Sequence, residues 1–317
     1  MILFLSGPLK ERIWGSNYFK ENLRLTDSSE LYGELWSCSA HNEGNSIIIN
    51  GEFKGKTLKE VYDSNPELFG YEGYTEFPVL VKLISTSAPL SIQVHPNDEY
   101  ALINENQYGK TEGWLILDKS ETSQIVIGHK ACNKNELQEF IDDDNYEKLL
   151  NYKNVEVGEF YPIYLGTIHA IGEGLLILEI QQSSDITYRF YDYHRKDKNG
   201  KERELHLEKA LDVVNYNFYD EEIINCLKND NLIVWDNDYF IIEQYNVSNE
   251  LIIPSNDSAV IVNLISGEIT IDDRNIYIGE SFIITKDSEA VQISGNGKIL
   301  VTRIKINYRR RIIIAFL

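Results

Sequence analysis

Short β-branched or alternating runs, broken every few positions by Gly, Pro, Asn, Asp or Ser, recur along this 317-residue chain and predict a mainly β protein. GELWSCSA (33–40), GNSIIIN (44–50), FPVLVKLIS (77–85), PLSIQVH (89–95) and TEGWLILD (111–118) read as strands. Between 155 and 193, glycines at 158, 166, 172 and 174 separate short strands at the spacing of a barrel or jelly roll. After a polar joint at 225–231 the pattern is almost purely β: LIVW, YFIIEQYNV, LIIP, AVIVNLIS, ITI, SFIIT, AVQIS and KILVTRIKI, with Ser-Gly, Asn-Asp and Gly-Asn-Gly between them as turns.

Helical spacing interrupts this pattern in a few places. Residues 57–70 form a candidate helix with Thr57 as N-cap and Pro66 breaking it, and Asn97 caps a second over 98–107. Residues 133–150 place Leu137, Phe140 and Ile141 on one face, then Tyr146, Leu149 and Leu150 after an acidic break. In 204–216, Leu207, Ala210, Leu211 and Val214 fall at i, i+3, i+4, i+7. The expected organisation is a β catalytic domain over 1–230 with a small helical layer, a second, smaller β-domain over 231–306, and an atypical basic and apolar tail, NYRRRIIIAFL, over 307–317. No function is assigned to that tail.

The PLSIQVH stretch breaks the rule that a buried strand face is apolar. Ser91, Gln93 and His95 leave one face, while Leu90, Ile92 and Val94 leave the other. Lys110 and Glu112 make a second two-apart polar pair if their strand begins early enough. Polar side chains at such positions cost free energy unless they have a task.

Charge and cysteine usage narrow the class. A formal charge of −20 opposes binding to nucleic acid or an anionic membrane surface, so an anionic substrate would need a local Lys or Arg cluster. Three widely separated cysteines, Cys38, Cys132 and Cys226, suit neither a disulfide framework nor a Cys-based zinc site. The opening MILFLSGPLKER has no basic n-region and no small-residue cleavage site, and no run reaches the roughly 18 apolar residues of a membrane span. A cytoplasmic protein in a reducing compartment is expected.

All six histidines lie in the first two-thirds of the chain, so the chemistry is expected there. His129 reads as a surface residue beside a turn, His41 as a loop residue, and His194 and His206 as facing water among charged neighbours. His95 and His169 differ, because each sits in an apolar strand context. Together with Glu112, and with Gln93 as a further donor, they form a two-imidazole, one-carboxylate set that zinc, non-haem iron or manganese would accept.

KERIWG, GELWS, LVKLISTSAPLSIQVHPNDEYA, GKTEGWLIL, GTIHAIGEG and LILEIQQSSDITYRFYDYHR, spanning residues 10 to 195, resemble in order the short bacterial form of type I mannose-6-phosphate isomerase. The resemblance implies a cupin-type jelly-roll barrel with one zinc ion per chain, a phosphosugar substrate, and isomerisation through a cis-enediol. It implies His95, Glu112 and His169 as ligands, with Gln93 at the family's further ligand position, holding zinc directly or through a water. Arg189 falls at the active-site arginine, Lys110 at a substrate-contacting lysine and Ser91 at a substrate-contacting serine. Glu179 is the candidate base; alternatively it pairs with Arg189 and orients it. Another cupin metalloenzyme, of the phosphoglucose isomerase or dioxygenase type, would use a similar donor set. A non-catalytic phosphosugar-binding cupin would share the scaffold.

Overall fold

The computed structural model describes residues 1–23, 31–196, 199–217, 219, 223–254 and 256–306. The tail expected over 307–317 lies outside the described residues. The chain forms two compact units, each discontinuous in sequence: one from Met1–Leu9, Leu35–Leu83 and Ile224 onward, the other from Lys10–Glu34 and Ile84–Ile223.

In the first unit an antiparallel sheet runs in the order Leu232–Asp236, Phe240–Ile253, Val291–Ile304, Val260–Ile271, Ser281–Ile284, Ile2–Ser6 and Ile47–Ile48. Three of these strands are longer than their hydrophobic pattern predicts. Phe240–Ile253 pairs with Val291–Ile304 along its full length, so the polar stretches expected as turns face each other instead: Asn249 lies opposite Gly295 and Ser248 opposite Asn296. Both Asn249 (φ 67°) and Gly295 (φ 121°) take up positive φ there, a conformation that Asn and Gly tolerate best. Likewise Gly267 faces Gly297 inside the strand Val260–Ile271. An added Cβ on Gly267 would come within 2.2 Å of the Asn296 carbonyl oxygen.

The Thr57 cap is present as a capping box with Glu60, opening a helix Leu58–Ser64 that stops before a single 3₁₀ turn at Pro66–Leu68. Between them, cap and proline set both ends of this helix.

The second unit is a two-layer β structure with helices on one side. Its five-stranded sheet has the order Leu150–Asn154, Gln124–His129, His169–Ile171, Ile92–Val94 and Tyr188–Tyr191, all antiparallel. Ile92, Val94, Val126, Ala170, Tyr188 and Phe190 leave one face of it and pack with Leu137, Leu149, Ala210 and Leu211 of the helical layer. A second sheet places Glu112–Lys119 between Glu159–Ile163 and Leu175–Gln182. Between the layers Trp114, Ile116, Tyr161, Ile163 and Ile177 meet Ile125, Ile127 and Ile171.

The strand in PLSIQVH is shorter than its alternation predicts and covers only Ile92–Val94. Leu90, expected beside Ile92 and Val94, therefore packs with Trp14 and Trp114 between the layers. His129 is buried rather than on the surface, its Nε2 3.1 Å from the Asn215 carbonyl oxygen and its ring edge-on to Tyr216. His206 is half-buried instead of facing water, whereas His194 is exposed as expected.

Candidate metal centre and active site

Strand register brings the candidate residues together. Directly opposed residues of antiparallel strands share a face. Gln93 lies opposite His169 on one side and opposite Arg189 on the other, so these three leave the same face of the five-stranded sheet. In the facing layer Glu112 lies opposite Gln181, and Trp114 opposite Glu179. Down the strand Glu112–Lys119 the inward side chains change from Glu112 to Trp114 to Ile116. The space between the layers is therefore polar at one end and closed by packed hydrocarbon at the other.

His95, Glu112 and His169 are all buried, and one ligand atom from each lies within 4.8 Å of the other two. Glu112 Oε1 is 3.4 Å from His169 Nε2, and Oε2 is 3.5 Å from His95 Nε2. Nδ1–H of His169 donates to the Thr167 carbonyl at 2.8 Å, which leaves the Nε2 lone pair turned toward Glu112. That Nε2 is buried without a hydrogen-bond partner. Two neutral imidazoles, one carboxylate and an unpartnered ligand atom fit a divalent cation.

Electrostatics favour this protonation state. Burial, reinforced by the Lys110 charge, pushes His95 down to about 3, and burial lowers His169 as well. Burial works against the Glu112 carboxylate, yet the adjacent Lys110 charge holds it well below the usual carboxylate range. Lys110 is raised, because Glu112 and Glu179 outweigh the burial that opposes its charge. Deprotonated ligands are the form a metal requires.

Lys110 does not lie on a strand, since the strand begins at Glu112. The GKTE turn instead folds onto the segment after His95: Gly109 N–H donates to Asp98 Oδ1 at 2.7 Å and Lys110 N–H to the Pro96 carbonyl at 3.3 Å. A Cβ at Gly109 would come within 2.6 Å of the Pro96 oxygen, so this close approach needs glycine. The turn delivers the buried Lys110 ammonium to 2.8 Å from Glu112 Oε2 and 3.2 Å from His95 Nε2.

Glu179 is buried and accepts a hydrogen bond from Trp114 Nε1 at 3.1 Å, and the same indole stands edge-on to His169 with centroids 5.4 Å apart. Ser91 is buried in the segment before Ile92–Val94. Arg189 is half-buried, and its Nη1 donates to the Glu204 carbonyl at 2.8 Å.

Several neighbours carried no signal of their own in the sequence. Glu34 is buried, held by Arg12 through Nε at 2.9 Å and Nη2 at 2.8 Å, and its charge acts on Lys110. Both residues sit in strings noted above only for resemblance, KERIWG and GELWS. Asp192, also buried, receives Arg203 at 2.7 and 2.6 Å and Arg195 at 2.5 Å, and both guanidinium charges act on Arg189. Arg195 also donates to the Pro89 carbonyl at 2.5 Å, tying this group to PLSIQVH. The three-residue spacing of Asp192 and Arg195 was the one available hint.

Two packed β layers with a buried two-His, one-carboxylate cluster at the polar end form a candidate metal site of the cupin kind. Residues 2–121 match the type I phosphomannose isomerase catalytic domain, and 231–304 match the mannose-6-phosphate isomerase cupin domain. The chain is 36% identical over 309 residues to the probable mannose-6-phosphate isomerase GmuF of Bacillus subtilis strain 168, covering 95% of this chain and 98% of that one. To mannose-6-phosphate isomerase ManA of the same organism it is 40% identical over 273 residues, 84% and 86% of the two chains. Its fold superposes on the crystal structure of a Bacillus subtilis mannose 6-phosphate isomerase with TM-score 0.85 and 34% identity, over 96% of this chain and 99% of that one. The chain belongs to the type I mannose-6-phosphate isomerase family of aldose–ketose isomerases. Among the described residues no helix is long and apolar enough to cross a membrane.

Proposed function

We propose that the chain interconverts mannose 6-phosphate and fructose 6-phosphate in a zinc-dependent reaction that moves a proton between C1 and C2 through a cis-enediol(ate). The observation that carries this reading is the buried His95–Glu112–His169 cluster with the Lys110 ammonium against it, in a chain of this family. One zinc ion per chain is assigned to His95, Glu112 and His169, with Gln93, in register with His169, as the further donor. Bound there, zinc would supply Lewis acidity toward the oxygens on C1 and C2.

The remaining roles belong to side chains. Glu179 takes the proton from C2 of the open-chain aldose and returns it to C1; its burial beside the Trp114 indole supports this role by limiting where its carboxylate can point. Lys110 and Arg189 supply positive charge for the phosphate and the developing enediolate in a protein of charge −20. Ser91 contacts the substrate. Within 1–230, the unit formed by Lys10–Glu34 and Ile84–Ile223 carries this chemistry, whereas 231–306 shares its sheet with Ile2–Ser6 and Ile47–Ile48 instead of forming a separate β-domain. The buried free thiols of Cys38 and Cys226 support a cytoplasmic setting.

A coupled assay tests the reading. Turnover of mannose 6-phosphate to fructose 6-phosphate is expected; activity on glucose 6-phosphate alone, or oxygen consumption, would assign the site to another cupin class.

A further inference from the structure

Arg189 is held by one short segment, and the way it is held points to a residue with no assigned role. The backbone N–H of Arg189 donates to Nδ1 of His206 at 3.1 Å. In return the His206 N–H donates to the Arg189 carbonyl at 2.8 Å, and the Arg189 side chain reaches the Glu204 carbonyl. His206 is the N-cap residue of the helix Leu207–Val213, yet its side chain makes no capping hydrogen bond. A cap residue normally satisfies the first N–H groups of its own helix; here the acceptor is turned onto Arg189. The helix is itself anchored, since Ala210 and Leu211 pack with Ile92, Val94, Tyr188 and Phe190.

We propose that neutral His206 is a positioning residue that fixes the Arg189 backbone, and through it the side chain, on the sheet face that Arg189 shares with Gln93 and His169. This rests on the reading of Arg189 as a catalytic residue. Only neutral imidazole has a lone pair on Nδ1 to accept the Arg189 N–H; protonation makes Nδ1 a donor and breaks the bond. The surroundings favour the neutral form. Burial, then the Arg189 charge, lowers His206, with Lys209 acting in the same direction and Glu204 and Glu105 opposing it. The Tyr188 ring also packs on His206, at 6.3 Å between centroids, and its hydroxyl and Lys209 both bond Glu105. The bond is thus intact at neutral pH and lost below the ordinary histidine range.

Steady-state kinetics of the zinc-loaded enzyme across pH test this with His206→Ala, His206→Asn, Arg189→Ala and the Ala/Ala double variant, with circular dichroism confirming the fold. Loss of one hydrogen bond through His206→Ala is expected to lower kcat about fivefold to tenfold at neutral pH. His206→Asn, whose Oδ1 accepts the same N–H and does not titrate, is expected to recover most of kcat and to extend activity further into acid than the wild type. In the Arg189→Ala background, His206→Ala is expected to cost almost nothing more. Equal losses in the Ala and Asn variants with an unmoved acid limb, or a full additional loss in the double variant, would overturn the proposal. Unchanged turnover in Arg189→Ala would instead remove the catalytic reading of Arg189, and this inference with it.

Discussion

The indole of Trp114 holds Glu179, Nε1–H donating to Oε1 at 3.1 Å, while its ring edge stands against His169. One side chain therefore touches both the proposed base and a proposed metal ligand. Trp114→Phe keeps most of the packing and removes the donor. Turnover is expected to fall about tenfold to a hundredfold, since a hydrogen bond to a charged group contributes roughly 1.5–3 kcal/mol. Metal content should stay at the wild-type level because the donor set is untouched. Measuring kcat and bound metal on the same sample checks both, and unchanged kcat would show that the indole does not orient the carboxylate.

Glu179→Gln separates a proton-transferring carboxylate from one that only orients its neighbours. Tritium from solvent is expected to enter the substrate at C1 or C2 far more slowly in this variant, by at least the roughly 10²-fold typical of general base removal. Exchange at the wild-type rate would take Glu179 out of the base role.

Asp192 contributes to stability in a pH-dependent way. Burial alone would raise its carboxyl, but the hydrogen bonds and charges of Arg203 and Arg195 hold it below the usual value of 3.8. A depressed folded-state value means the contribution is complete above the unfolded carboxylate range and is lost as pH falls through the folded one. Asp192→Asn is expected to cost about 2–3 kcal/mol at pH 7, below the full penalty for breaking a buried pair because both arginines are partly exposed. Denaturant titrations at pH 7 and near pH 3 check it: the gap from wild type should narrow at the lower pH, and a constant gap would contradict the assignment.

What the residue pattern revealed depended on how local the deciding interactions are. Alternation at Ile92-Gln93-Val94 exposed a polar face, and caps at Thr57 and Asn97 marked helix starts, because these depend on residues a few positions apart. The cluster of His95, Glu112 and His169 depends on register between separate strands, which no local spacing encodes; residue type and apolar strand context only suggested the set, and the resemblance strengthened it. Turn-forming Ser, Asn and Gly misled in Phe240–Ile253 and Val291–Ile304, where a continuous ladder of paired backbone groups outweighs their local preference. The burial of His129 and the turn of His206 toward Arg189 were hidden for the same reason: the partners, Asn215 and Arg189, are distant in sequence.

Isomerase turnover before and after metal removal tests the central claim most directly. The chelated protein is expected to lose mannose 6-phosphate isomerisation, to regain it with about one equivalent of zinc, and in its His169→Ala form to retain no metal. Full turnover in a rigorously metal-free sample would contradict the account.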